Sequence, residues 1–220
     1  MRRKAIAALL FAFSLFSASA AFAAAEIEQR TYNADESVCY PYVVLEDEGA
    51  AKRINTITEG TAHNFVRLVK ETREHSLGAD VLASLSYEVT HNDDSTLSIV
   101  FTEYRYVGRA AHPMVSMRAM NFRLDSGERI SAADLSAAPL TSGAKSSYTP
   151  EILKQRLREK AARERIPLNK KFEELSELPE NFYFDKDFHV HFIFGQNEVA
   201  PAAFGIIDLD ADELPAVTEP

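Results

Sequence analysis

A chain of 220 residues, 46% hydrophobic and 26% charged, is long enough for one domain with a full core and too evenly mixed for a disordered or fibrous protein. Its formal net charge of −9 repels nucleic acid and anionic lipid and favours cationic partners. A single cysteine, Cys39, excludes an internal disulfide and a cysteine-rich metal module.

Arg2, Arg3 and Lys4 precede an apolar run from Ala5 to Phe16, and small residues then lead to the cleavage pattern Ala21-Phe22-Ala23. Residues 1–23 therefore read as a signal peptide, and 24–220 as a single exported domain. Cleavage takes three basic residues and no acidic ones, which moves the net charge from −9 to −12. No later segment approaches the roughly 20 continuous apolar residues of a span, so no membrane span is expected after cleavage. Beyond Lys186 there is no Lys or Arg. Cys39, beside Tyr40-Pro41, reads as an inert, buried strand residue.

Ile54, Ile57, Thr61, Phe65 and Leu68 recur at helical spacing and predict an amphipathic helix, with Gly60 a weak point and Gly78 past its end. The period then drops to two. Leu85, Tyr87 and Val89 alternate, "HNDDS" turns, and Leu97, Ile99 and Phe101 alternate again, which predicts a long hairpin. A third strand runs from Met114 to Leu124 into a turn at Asp125–Glu128, and "SAAPLTSGAKSSY" reads as a surface loop. Thr149, Pro150 and Glu151 open a second helix as cap, first-turn residue and dipole partner. That helix buries Leu153, Leu157 and Ala161 and stops at Pro167. "NFYF", "FHVHFIF" and "AFGIIDLDADEL" return to strand. Strands cluster and no βαβ rhythm occurs, so the expected class is α+β: an antiparallel sheet with two main helices packed on one face.

Few residues suggest chemistry. His189 and His191 fall two apart, on one face of a strand whose other face is Phe188, Val190, Phe192 and Phe194. Such a pair can hold a metal, but no motif supplies a third ligand, and a solvated strand face accounts for both histidines. Asp208, Asp210, Asp212 and Glu219 fall at calcium-loop positions, yet Glu213 stands where the loop needs glycine and Pro215 interrupts it. Alternation explains these acids, with Ile207 and Leu209 facing inward. No nucleophile elbow or phosphate loop is present, so no catalytic residue, metal or cofactor is assigned. In "FTEYRYVGRAAHPM", Tyr104 and Tyr106 share a strand face with Val100, and Glu103 and Arg105 share the opposite one. Gly108 permits a bend, and Pro113 holds His112 extended. A histidine at such a corner bonds backbone groups, so Gly108, His112 and Pro113 read as a structural corner.

Tyr40-Pro41, Ile54-Asn55, "YVGRAAHP" (Tyr106 to Pro113), "NFRLDSGERISAADL" (Asn121 to Leu135) and "NEVAPAAFG" (Asn197 to Gly205) follow one another in a telling order. The series resembles the bacterial extracytoplasmic domain of the RsiV anti-sigma factor, which also accompanies the peptidoglycan deacetylase PdaC. It covers almost the whole mature chain. It departs from the family at the corner, usually "GGAH" and here "GRAAH", and at Asn197, where the family has tyrosine. The resemblance implies a sensing or binding module, periplasmic or secreted in a bacterium, with no reaction of its own. The anti-sigma examples recognise lysozyme, so a cationic protein such as lysozyme is the expected partner, with Tyr104, Tyr106 and Glu198 as candidate contacts. With no cytosolic segment ahead of the hydrophobic stretch, signal relay is not expected. Two alternatives stand beside this reading. One is a peptidoglycan-binding module that stacks sugar on Tyr32, Tyr40 and Tyr42; the other is a hydrolase that uses His112 with Glu103 or Glu198.

Overall fold

The computed structural model describes residues 24–33, 35–137 and 148–212, which form two packed sheets. The larger contains β1 (Glu26–Tyr32), β2 (Asp35–Val44), β3 (Val81–Asn92), β4 (Thr96–Val107), β5 (Met114–Arg123) and β6 (Arg129–Ile130), in that order. The smaller contains β7 (Phe182–Phe184), β8 (Val190–Phe194) and β9 (Ile207–Asp210). Helix α1 (Glu48–His75) joins β2 to β3, and α2 (Ala132–Ala137) and α3 (Pro150–Glu164) lie between the sheets in sequence. The class is α+β, as the sequence implies. One pairing is parallel: β2 meets β3 only at Val38 and Leu85, after α1 has carried the chain back along the sheet.

Asp47 starts α1 by accepting from Gly49 N at 2.7 Å and Ala50 N at 2.9 Å, while Arg73 and His75 face the negative end of the dipole. Its buried stripe is Ala50, Ala51, Ile54, Thr58, Thr61, Ala62, Phe65 and Val69. Ile57 and Leu68, expected at its centre, lie at its margin. Small residues take their places because the helix lies close enough for Asn55 to clasp β2. Asn55 Oδ1 accepts from Val43 N at 2.7 Å, and its Nδ2 donates to Val43 O at 2.8 Å.

The helices serve different cores. Ile54 and Phe65 of α1 pack with Leu85, Leu97, Ile99, Phe101 and Phe122 of the larger sheet. Leu153 and Leu157 of α3 pack with Phe182, Phe184, Phe192, Phe194 and Leu209 of the smaller. Each such phenylalanine contributes about 2–3 kcal/mol by leaving water. The expected single layer of helices is thus split in two, because the last three strands form a sheet of their own.

Polar side chains seam the sheets together. Ser98 Oγ donates to Asn121 Oδ1 at 2.5 Å and accepts from Phe184 N at 3.1 Å, and Asn121 Nδ2 donates to Phe182 O at 2.7 Å. Asn181 Oδ1 accepts from Ala119 N at 2.8 Å, and its Nδ2 donates to Met117 O at 3.0 Å. The loop expected over Ser136 to Tyr148 follows α2, which takes in its first two residues, while residues 138–147 of it lie outside the described residues.

Candidate functional site

Alternation sends Leu97, Ile99 and Phe101 toward α1, and Ser98 and Val100 to the opposite face of the larger sheet. Strand register continues that face through Leu82, Ser84, Ser86 and Glu88 of β3, Thr102, Tyr104 and Tyr106 of β4, and Val115 and Met117 of β5. The smaller sheet covers only one end, where Ile193 packs on Val100 and Ala119. The remainder is open to solvent. Leu82 is 62% exposed. Tyr106, its register partner, and Tyr104 are partly exposed, and neither hydroxyl has a hydrogen-bond partner among the described residues. Arg105 and Arg118 project from the α1 side, and Arg123, at the covered end, is paired with Asp134 at 2.8 Å. Among the described residues of β3, β4 and β5, Glu88 is therefore the one charged residue on the open part of the face.

The corner at one end of this face is held by backbone. Gly108 N donates to Asp80 O at 2.7 Å, and Ala110 N donates to Val107 O at 2.9 Å. A Cβ on Gly108 would come within 3.4 Å of Asp80 N and O. His112 is exposed, and its Nδ1 lies 3.3 Å from the carbonyl of the adjoining Pro113. A histidine that pins the turn is thus not what holds this corner: the close approach of Gly108 to Asp80 does so, and among the described residues the imidazole bonds only its own neighbour. Leu77, in the preceding loop, is 99% exposed with φ of +51°.

Glu103 accepts from Ser116 Oγ at 3.3 Å, and Glu198 accepts from Gly195 N at 2.7 Å to close its own turn. No hydrogen bond or ion pair joins His112 to either acid among the described residues. No hydrogen bond joins Glu198 to Tyr104 or Tyr106 among the described residues, so the three candidate contacts form no hydrogen-bonded group. The tyrosines considered for sugar stacking are occupied: Tyr40 is buried, Arg30 lies 3.1 Å above the Tyr42 ring, and Tyr32 packs on His63. Cys39 is a β2 residue, as expected, but only partly buried.

The face of the smaller sheet turned away from α3 carries a cluster that alternation alone does not show. Tyr183 donates to Asp208 Oδ2 at 2.7 Å and stacks on His191 with ring centroids 4.7 Å apart. His191 Nδ1 lies 3.0 Å from Asp208 Oδ1, and its Nε2 lies 3.6 Å from Asp185 and 4.0 Å from Asp210. His189 Nδ1 stands 3.6 Å from Asp185 and 3.8 Å from Asp210. His191 is only 18% exposed, so it does not share the solvated strand face expected for both histidines. His189 belongs to the turn before β8, where its N–H donates to Asp185 Oδ1. Phe188 belongs there too: its φ is +65°, and it stacks on Phe184 rather than extending the core face of β8.

Burial alone would lower the His191 imidazole, but the bond to Asp208 and the charges of Asp208, Asp210 and Asp185 outweigh it and raise it above 6.5. Burial would likewise raise Asp208, yet the bonds from His191 and Tyr183 draw it below 3.8. Burial, then the Asp208 bond, pushes the Tyr183 phenol well above its ordinary range. Among the described residues no group of three or more His, Cys, Asp or Glu is arranged to hold a metal ion. Asp208 and Asp210 do face outward with Ile207 and Leu209 inward, as alternation predicts. Glu213, Pro215 and Glu219 lie outside the described residues.

Among the described residues no helix is long and apolar enough to cross a membrane. No family model and no curated protein matches the sequence. Solved structures match the fold. A DUF3298 family member from Bacteroides fragilis aligns over 87% of this chain and 88% of its own, with a TM-score of 0.55 and 16% identity. A DUF3298 family protein from Pseudomonas aeruginosa aligns over 85% and 87%, with a TM-score of 0.52 and 14% identity. At these identities the likeness is one of architecture: the chain has a fold similar to that of bacterial DUF3298 proteins.

Proposed function

We propose that the chain is a bacterial extracytoplasmic binding domain, periplasmic or secreted, with no reaction of its own, and that it receives a cationic protein such as lysozyme on the open face of the larger sheet. The observation that carries this reading is the face itself. It leaves Leu82, Tyr104 and Tyr106 together in water, with both hydroxyls unpaired among the described residues. Tyrosines and exposed leucines grouped in this way bury well against a partner, and each ring keeps a polar handle for it. Charge agrees in sign: Glu88 is on the face, Asp208 borders it beside Tyr183, and the chain carries −12 once residues 1–23 are removed. The resemblance to RsiV-type domains supports the same class of partner. Glu198 is left out of this interface, since its carboxylate closes the Gly195 turn.

Titration calorimetry with hen-type lysozyme, at low and at moderate salt, tests the proposal. The expected result is saturable, stoichiometric binding that persists at moderate salt. The double variant Tyr104→Ala/Tyr106→Ala should bind at least tenfold more weakly, since truncating a central interface aromatic costs about 2 kcal/mol. Heat that disappears with salt would reduce the interaction to nonspecific attraction and overturn the proposal. Absence of binding, with retention of the chain by purified cell wall at high salt, would move the ligand to peptidoglycan glycan.

A further inference from the structure

The cluster around His191 joins every strand of the smaller sheet. Tyr183 comes from β7, His191 from β8, Asp208 and Asp210 from β9, and Asp185 and His189 from the β7–β8 turn. Backbone pairing of β9 is short: it meets β8 over Ile207 to Asp210 and has no strand beyond it among the described residues. His191 reinforces that pairing from the side. Its Nδ1 bonds Asp208 at 3.0 Å, and its Nε2 faces the carboxylates of Asp185 and Asp210 at 3.6 and 4.0 Å. Nδ1 faces Asp208 beside the Tyr183 hydroxyl, 3.1 Å away, and Nε2 stands in ion-pair range of the two further carboxylates, so only the doubly protonated ring turns an N–H and a positive charge toward both sides.

We propose that His191 is a proton-operated clasp that fastens β9 to β8 and to the β7–β8 turn, tightening the smaller sheet in mild acid and loosening it in mild alkali. The geometry places this clasp beside the open face, because Tyr183 packs with Met117 against Val100 and Ala119. The surrounding charges favour the doubly protonated ring. Asp208, Asp210 and Asp185 surround it, Glu88 of β3 adds a further negative charge near Tyr183, and the cations are His189 when protonated and the more distant Lys160 of α3. A histidine raised in the folded state stabilises it fully below its ordinary 6.5, and the contribution is lost as pH rises through the raised value. Asp208, drawn down by the same contact, contributes above its ordinary 3.8 and loses this as pH falls through the lower value. The clasp is therefore strongest between those two ordinary values, in weakly acidic solution.

The test uses the chain from Ala24 onward. Imidazole resonances are followed by heteronuclear NMR across pH 5 to 9, beside thermal melts of the wild type, His191→Gln and Asp208→Asn. The clasp requires His191 to titrate above 6.5 and the wild-type melting temperature to fall across its titration. His191→Gln should lose that slope, and Asp208→Asn should move the His191 midpoint down. A His191 midpoint at or below 6.5 overturns the proposal, as does an unchanged slope in His191→Gln. If His191→Gln does not fold, the wild-type midpoint and its displacement in Asp208→Asn decide alone.

Discussion

Gly127 meets two constraints at once. Its φ is +69°, and a Cβ there would lie 2.5 Å from the carbonyl oxygen of Ala50. The turn that ends β5 thus rests directly on the first turn of α1, and Arg53 Nε, in the next turn, also donates to Ser126 O at 2.6 Å. No side chain fits, and backbone has nowhere to go. Gly127→Ala is expected to cost about 3 kcal/mol, combining left-handed strain with overpacking, and urea unfolding of the variant checks it. The asparagines act by a different principle. Asn55, Asn121 and Asn181 each present an acceptor and a donor to polar groups of neighbouring elements, as a strand would. His91 is a related case on the other side of the seam. Its Nδ1 donates to Asp185 O at 2.8 Å, while Nε2 lies 3.0 Å from Asp93 but off the line a hydrogen bond needs.

At the scale of elements, legibility in the sequence tracks how local the cause is. Helix α3 has its cap, its proline and its Leu153–Leu157–Ala161 stripe within one stretch, and all are as expected. Its cap is the weaker of the two: Thr149 Oγ1 accepts from Ile152 N at 3.3 Å, whereas Asp47 accepts from two amides at shorter range. Asp47→Ala should therefore lower stability more than Thr149→Ala, a ranking that parallel denaturant titrations would confirm or reverse. Helix α2 is not among the elements expected from the sequence, although its signal is short-range. Ser131 N and Oγ both donate to Asp134 Oδ2 at 2.7 Å, a Ser-x-x-Asp box, and together with Arg123 they draw Asp134 down to about 2. The parallel meeting of β2 and β3 carries no such local mark, because it depends on the length and path of α1.

Across the whole molecule, the open face is legible in the sequence and the proton clasp is not. Tyr104 and Tyr106 share a face by simple alternation, which needs no knowledge of any other strand. His191 and Asp208 are 17 residues apart, and only the register of β8 against β9 brings them together. Strand periodicity in "FHVHF" treats its two histidines alike, yet the turn takes His189 and the sheet takes His191. The split into two cores is hidden for the same reason: a run of strands does not say where one sheet stops. That split leaves its mark on the outer edge of β5. β6 pairs with β5 only at Asn121 and Phe122, and Asn181 occupies the edge at Met117 and Ala119. An unoccupied edge is a template for another chain, and here one amide fills it. Asn181→Ala should leave a folded protein that sediments as growing assemblies on concentration, where the wild type stays dispersed. In that single side chain the molecule carries its own guard against its copies.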